Sequence, residues 1–183
     1  MSYIIVSWYT PDYAAQNRNL LASLEKHRYS NHVEYKLAPA GRWGANVRLK
    51  SQVLRRAFAE HPDVDIVYLD SDAVVHGPLD LFDSWTGEDV GFHFRHGHEL
   101  LGGTMYLSNR LAVWCFCDVV SGVMEITQQC WQVTAQRLLP NHPELSVKRL
   151  PASYARIFDA REMNAEGVAP VIEHMQYSRQ VAH

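Results

Sequence analysis

The sequence is short of features that would take it out of an ordinary cell interior. Only 3 cysteines occur in 183 residues, an odd count with no Cys-x-x-Cys and no Cys/His zinc spacing, which argues against a disulfide framework or a structural zinc site. Cys115 and Cys117 stand two apart in an apolar stretch and Cys130 stands alone, as expected for free thiols in a reducing compartment. No hydrophobic run reaches membrane-spanning length. The opening MSYIIVSWYT is too short for a signal peptide's apolar region and has no basic leader, so no membrane span and a cytoplasmic location are expected. Charge of one sign is also lacking: 17 Lys+Arg against 20 Asp+Glu leave a net of -3, which exerts no global pull toward nucleic acid or anionic lipid. A local cluster, Arg42, Arg48, Lys50, Arg55 and Arg56, is read as a solvated helix face or a basic patch. Repeats, low-complexity tracts and long linkers are absent, and residues 1–183 read as one domain.

What is present is an alternation. Tyr3 to Trp8 is a β-rich apolar run broken by Thr10-Pro11-Asp12, and Leu20, Leu21 and Leu24 give Tyr13–His27 a helical face. Val33–Ala38 reads as a strand. Val47–Ala59 reads as a helix with Val53, Leu54, Ala57 and Phe58 on one side, and Asp65–Leu69 as the next strand. Strand, helix, strand, helix, strand predicts a three-layer α/β fold with a mostly parallel central sheet. In the second half, 90–94 and 104–107 read as strands around a polar loop, Arg95–Gly103. Residues 111–123 and 126–139 read as helices, and 147–150 as a short strand.

The stretch IVYLDSDAVVHGPLDLF, 66–82, drives an apolar strand into two carboxylates, Asp70 and Asp72. Like charges that close raise each other's pKa unless a positive group intervenes. A divalent cation is one reading, and a strand end capped by turn-forming aspartates is the other. Ligands of open α/β sheets bind beyond the carboxyl ends of the strands, where Asp70, Asp72, Trp8, Tyr9 and Thr10 all fall. Three uses of Asp-x-Asp fit such a place: a phosphatase nucleophile and acid, a nucleotide-sugar transferase in which a cation neutralises a departing diphosphate, and a non-catalytic nucleotide- or sugar-binding module. The phosphatase reading fares worst, because two strands precede the motif and no later acidic pair follows.

Four segments in order, VSWYTPDY, RWGANVRLKSQVLRRAF, DIVYLDSDAVVHGPLDLF and PVIEHMQYSRQ, together with LLGGTMYLSN, resemble the GT-A glycosyltransferases. The likeness is to small nucleotide-diphospho-sugar transferases of the glycogenin and lipopolysaccharide galactosyltransferase superfamily. It implies the GT-A fold, a nucleoside-diphosphate sugar donor (UDP- or GDP-linked), and Mn2+ (or Mg2+) held by Asp70, Asp72 and His174. His76, His96 and His98 are the rival histidines. It further implies that Trp8 and Tyr9 stack on the base, that Thr10 and Tyr13 reach the ribose or base edge, and that Lys50, Arg48 and Arg179 meet the diphosphate. Gly102 and Gly103 would permit close approach of substrate to backbone. Asp72 is the firm metal ligand on this reading, while Asp70 leans toward the ribose or a metal-bound water. Ser71, between them in the donor motif, is expected to face away by strand alternation. Glu99 is the candidate acceptor-side base of an inverting reaction. Relatives often carry an Asp-Gln pair after the second-half strands, where this chain has Gln128 and Gln129; Gln129 is the candidate sugar contact at the reacting centre. The acceptor stays open among a small molecule, a glycan, a protein and a modified DNA base.

Overall fold

The computed structural model describes residues 3–41, 43–160, 163 and 167–177. The strands are β1 (Tyr3–Tyr9), β2 (His32–Lys36), β3 (Asp65–Leu69), β4 (Ala73–Val75), β5 (Val90–Arg95), β6 (Glu99–Leu107), β7 (Val147–Arg149), β8 (Arg156–Ile157) and β9 (Ile172–His174). The helices are α1 (Ala14–Lys26), α2 (Trp43–Asn46), α3 (Leu49–Glu60), α4 (Asp80–Asp83), α5 (Leu111–Thr127) and α6 (Trp131–Leu138). β1 and β3 are apolar along most of their length because both faces of the sheet are covered. β1 pairs parallel with β2 and with β3, and each return to the sheet runs through a helix. The six-stranded sheet has the order β2-β1-β3-β6-β5-β7. β6 is antiparallel to β3 and β5, and β5 is parallel to β7.

Alternate side chains of the sheet feed two cores. Val6, Ile66 and Tyr68 pack with Val53, Leu54 and Phe58 of α3 and with Phe116, Val120 and Trp131 of α5 and α6. Ile5, Val67 and Leu69 pack on the opposite side with Leu20 and Leu24 of α1, together with Phe82, Trp85 and Ile172. That division makes the three layers.

The second half departs from the sequence reading in three places. Arg95–Gly103 is no loop: only 96–98 turn, and Glu99–Gly103 is the first half of β6, with Leu101, Leu100 and Glu99 opposite His93, Phe94 and Arg95. A register shift between Phe92 and His93 breaks the alternation that would have revealed the strand. α5 runs on to Thr127 and stops because Gln128 adopts a left-handed φ of 59° as its cap. A second sheet, β4-β9-β8, joins the chain after the Asp-x-Asp motif to the C-terminal segment. Among the described residues no single helix is long and apolar enough to cross a membrane.

One buried carboxylate ties the second half together. Asp89 is 2% exposed. Its Oδ2 accepts the Ser146 N–H (2.9 Å) and hydroxyl (2.8 Å), and its Oδ1 accepts Arg110 Nη1 (2.7 Å). Burial raises its pKa, but the Ser146 bonds and the Arg110 charge outweigh that and hold it below the usual carboxylate range. A depressed native pKa stabilises the fold fully above the unfolded carboxylate value of about 4 and loses that contribution as pH falls through the native value. Asp89→Asn should therefore cost about 1–3 kcal/mol at neutral pH and flatten the acid limb of a melting-temperature profile between pH 7 and pH 3. An acid limb as steep as the parent's would contradict this role.

Candidate functional site

β3 is buried from end to end and stops at Leu69, so the chain leaves the sheet at Asp70. The Asp70 N–H is held by the Gly103 carbonyl (2.8 Å), and Ala73 N–H returns to the Asp70 carbonyl (3.0 Å). Asp70 to Ala73 is thus a reverse turn at the carboxyl end of the strand. This corrects the expectation for Ser71: alternation does not extend through a turn, and Ser71 lines the same cleft as its two neighbours. β4 then pairs with β9 so that Ala73 faces His174, and the Met175 N–H bonds the Asp72 carbonyl (3.1 Å).

The outcome is a cluster. Asp70, Asp72 and His174 each bring one ligand-type atom to within 4.8 Å of the others. His174 is 3% exposed. Its Nε2 lies 2.8 Å from Thr104 Oγ1, while its Nδ1 lies 3.8 Å from Asp72 Oδ1. The latter distance is too long for a hydrogen bond, and Nδ1 is buried with no bonded partner. With the proton on Nε2 directed at Thr104, Nδ1 presents a bare lone pair beside two carboxylates, which is the arrangement a metal-ligating imidazole needs. Burial alone would raise the Asp72 carboxyl; a proton on the facing His174 Nδ1, the Tyr177 N–H (3.1 Å to Oδ2) and the Lys50 charge act the other way and hold the group below the usual range when the cation is absent.

Lys50 holds the other carboxylate. Its Nζ sits 2.9 Å from Asp70 Oδ1, donates to the Gly102 carbonyl (2.8 Å), and lies over the Tyr68 ring. The Tyr68 hydroxyl also donates to Asp70 Oδ1 (2.7 Å). Two of the three ammonium donors are engaged, and the third remains for a ligand anion.

A cleft of about 270 Å³ opens on this cluster. Trp8, Tyr9, Thr10 and Tyr13, from the end of β1 and the turn after it, line it together with Lys50, Asp70, Ser71 and Asp72. Tyr13 packs edge-on against Tyr177 (5.3 Å between centroids), and burial, followed by the charges of Asp72 and Asp70, raises its pKa. A second cavity of about 120 Å³ lies alongside, with Arg95, Glu99, Gly102, Gly103, Thr104 and His174 in its wall. Glu99 is clasped there by the Arg95 guanidinium through two bonds of 2.8 Å.

Other sequence candidates fall elsewhere. Arg48 lines neither cavity and bonds the carbonyls of Gly44 (2.9 Å) and Gln128 (3.5 Å). Gln129 also lines neither, because it sits in the break between α5 and α6. His76 pairs with Glu173 (3.1 Å), and His96 and His98 sit at the β5–β6 turn. Arg179 and Arg42 lie outside the described residues. Arg55 and Arg56 are paired with Asp118 (2.9 Å) and Glu60 (2.7 Å). Asn46, Trp131, Gln132 and Gln176 line the cleft without having been expected there. For Gln132 a signal existed, a polar residue opening a helix straight after the Gln128 break; Gln176 had none beyond its nearness to His174.

No protein-family model and no curated protein matches the sequence. Solved structures do. The chain is similar to a glycosyltransferase involved in the glycosylation of the major capsid of PBCV-1, at 16% identity and a TM-score of 0.75 over 98% of this chain and 96% of that one. It is similar to the bifunctional glycosyltransferase WbbM (12% identity, TM-score 0.65, 96% of this chain and 46% of that one). It is also similar to the glycosyltransferase GlyE of Streptococcus pneumoniae TIGR4 (19% identity, TM-score 0.62, 95% and 54%). The chain therefore spans about half the length of the latter two. Its mixed α/β fold, with a mostly parallel six-stranded central sheet, is that of the GT-A glycosyltransferases.

Proposed function

We propose that this chain is a metal-dependent glycosyltransferase that moves a sugar from a UDP- or GDP-linked donor to an acceptor. The observation that carries the reading is the position of the Asp70–Asp72–His174 cluster between two cavities: Asp72 lines the larger, His174 the smaller, and Asp70 both. The neighbouring folds, all glycosyltransferases, support it.

Two carboxylates and an imidazole with an unpartnered buried nitrogen suit a divalent cation. The nitrogen donor favours Mn2+ over Mg2+, which prefers all-oxygen sites. Such an ion supplies positive charge for the diphosphate as it departs. The chain's own residues do the rest. Trp8 and Tyr9, both in the lining of the larger cleft, would stack on the base, and Thr10 and Tyr13 would reach the ribose or base edge. Lys50, braced by Asp70 and the Gly102 carbonyl, directs its remaining donor at the phosphates, where a preorganised cation is worth most. Gly102 and Gly103 keep the β6 edge low beside the smaller cavity. Glu99 faces that cavity as the acceptor-side base, and the Arg95 clasp holds it oriented.

A non-catalytic module on the same fold is the second reading, favoured by that same clasp, which engages both Glu99 oxygens. Donor hydrolysis separates the two. Incubated with UDP- and GDP-sugars and Mn2+, the protein should release free sugar slowly, and Asp72→Ala should release none. Metal-dependent binding without any release would favour the module.

A further inference from the structure

The two cavities share three lining residues: Asp70, Gln132 and Gln176. Two of these are neutral carboxamides. We propose, resting on the transferase reading above, that the smaller cavity takes the donor's sugar as a neutral, hydroxyl-bearing ring, and that Gln132 and Gln176 read its hydroxyls and set its specificity. At about 120 Å³ the cavity is small, which suits at most a single ring and not an oligosaccharide. Its charges are already compensated: Asp70 is paired with Lys50 (2.9 Å), and Arg95 is paired with Glu99 (2.7 Å). Among the described residues the one guanidinium or ammonium group in its wall, Arg95, is committed to Glu99, so the acid group of a uronic or sialic sugar on the side away from the Asp70–Asp72–His174 cluster would meet Glu99 with no side-chain cation left for it. A carboxamide both donates and accepts, which matches a hydroxyl that does the same.

The Gln132 amide is held by a backbone N–H, and the Gln176 backbone is held by its neighbours. Gln132 Oε1 faces the Gly102 N–H (3.4 Å), which leaves its Nε2 as the outward donor. Gln176 has a left-handed φ of 48°, and Tyr177 directly after it is helical. The N–H groups on either side of it, of Met175 and Tyr177, both bond Asp72 (3.1 Å each). The backbone so fixed places Gln176 in the lining of both cavities.

The test is calorimetry on the full chain with Mn2+, comparing UDP with UDP-glucose, UDP-galactose and UDP-glucuronate, and GDP with GDP-mannose. The quantity read is the ratio of each nucleoside diphosphate's Kd to that of its sugar, which divides out changes in nucleotide binding. In the parent protein the ratio should reach about tenfold for at least one neutral sugar and stay near one for glucuronate. Gln132→Ala and Gln176→Ala should each bring it to near one, and the isosteric Gln132→Glu should lower it with the fold intact. Ratios kept in both alanine variants, a ratio of one for every sugar with the parent, or a preference for glucuronate would overturn the proposal while leaving nucleotide binding in place. No binding of either nucleoside diphosphate overturns the transferase reading as well.

Discussion

Asp72→Asn should weaken Mn2+-supported nucleotide binding by more than about 100-fold, since loss of a group one shell further out already costs 10–100-fold. The substitution keeps the shape and removes the charge. Asp72's side chain is 13% exposed and His174 Nδ1 is the atom facing it. An asparagine amide can give that nitrogen the hydrogen bond it lacks, so the variant should melt within a few degrees of the parent while losing the cation. His174→Ala should behave the same way toward metal. Asp70→Asn should be milder. That carboxylate is 37% exposed, and its Oδ1 is already shared by Lys50 and Tyr68, so a weakened metal response should survive. Isothermal titration of Mn2+ and nucleotide into the three variants decides the order, and Asp72→Asn binding like the parent would reduce the acidic pair to a strand cap.

Gly103→Ala should damage the same site from the opposite side. A Cβ at this position would stand 2.8, 2.9 and 3.1 Å from Cε1, Nδ1 and Nε2 of His174. The ring has nowhere to go, being 3% exposed and bonded to Thr104. The backbone cannot yield either, since the Gly103 carbonyl holds the Asp70 N–H at 2.8 Å. Overpacking of this kind costs about 1–3 kcal/mol, roughly 2–12 °C of melting temperature at this chain length, and the Mn2+ response should disappear with it. Gly91→Ala is the control. Its Cβ would collide with the Trp85 indole in the other part of the sheet, so it should destabilise comparably and leave metal binding intact. Equal Mn2+ responses in the two variants would show that His174's position does not matter.

The legible parts of this fold are those whose hydrophobic pattern is local. The all-buried β3 and the α3 face of Val53, Leu54, Ala57 and Phe58 are visible as runs and periods in the chain. The strand half Glu99–Gly103 was hidden because its glutamate and glycines face a cavity instead of a core, which removes the alternation that marks a strand. The site divides in the same way. Asp70 and Asp72 stand out as charges at the end of an apolar run, whereas Gln176 acquires its place only because β9 pairs with β4 and brings Tyr177 back to Asp72 across 105 residues. Ser71 was assigned the wrong side because alternation was extended past the last strand residue into a turn. Arg48 and Gln129 carried suitable chemistry on backbone that directs them away from both cavities.

The most direct test of a metal-dependent nucleotide-sugar site is a calorimetric titration of UDP and GDP, and of their sugars, into the unsubstituted chain with Mn2+ and again with a chelator. Binding of at least one donor series that is present with Mn2+ and falls at least tenfold with the chelator is the expected result. Binding unaffected by the chelator, or none with either nucleotide, would contradict it.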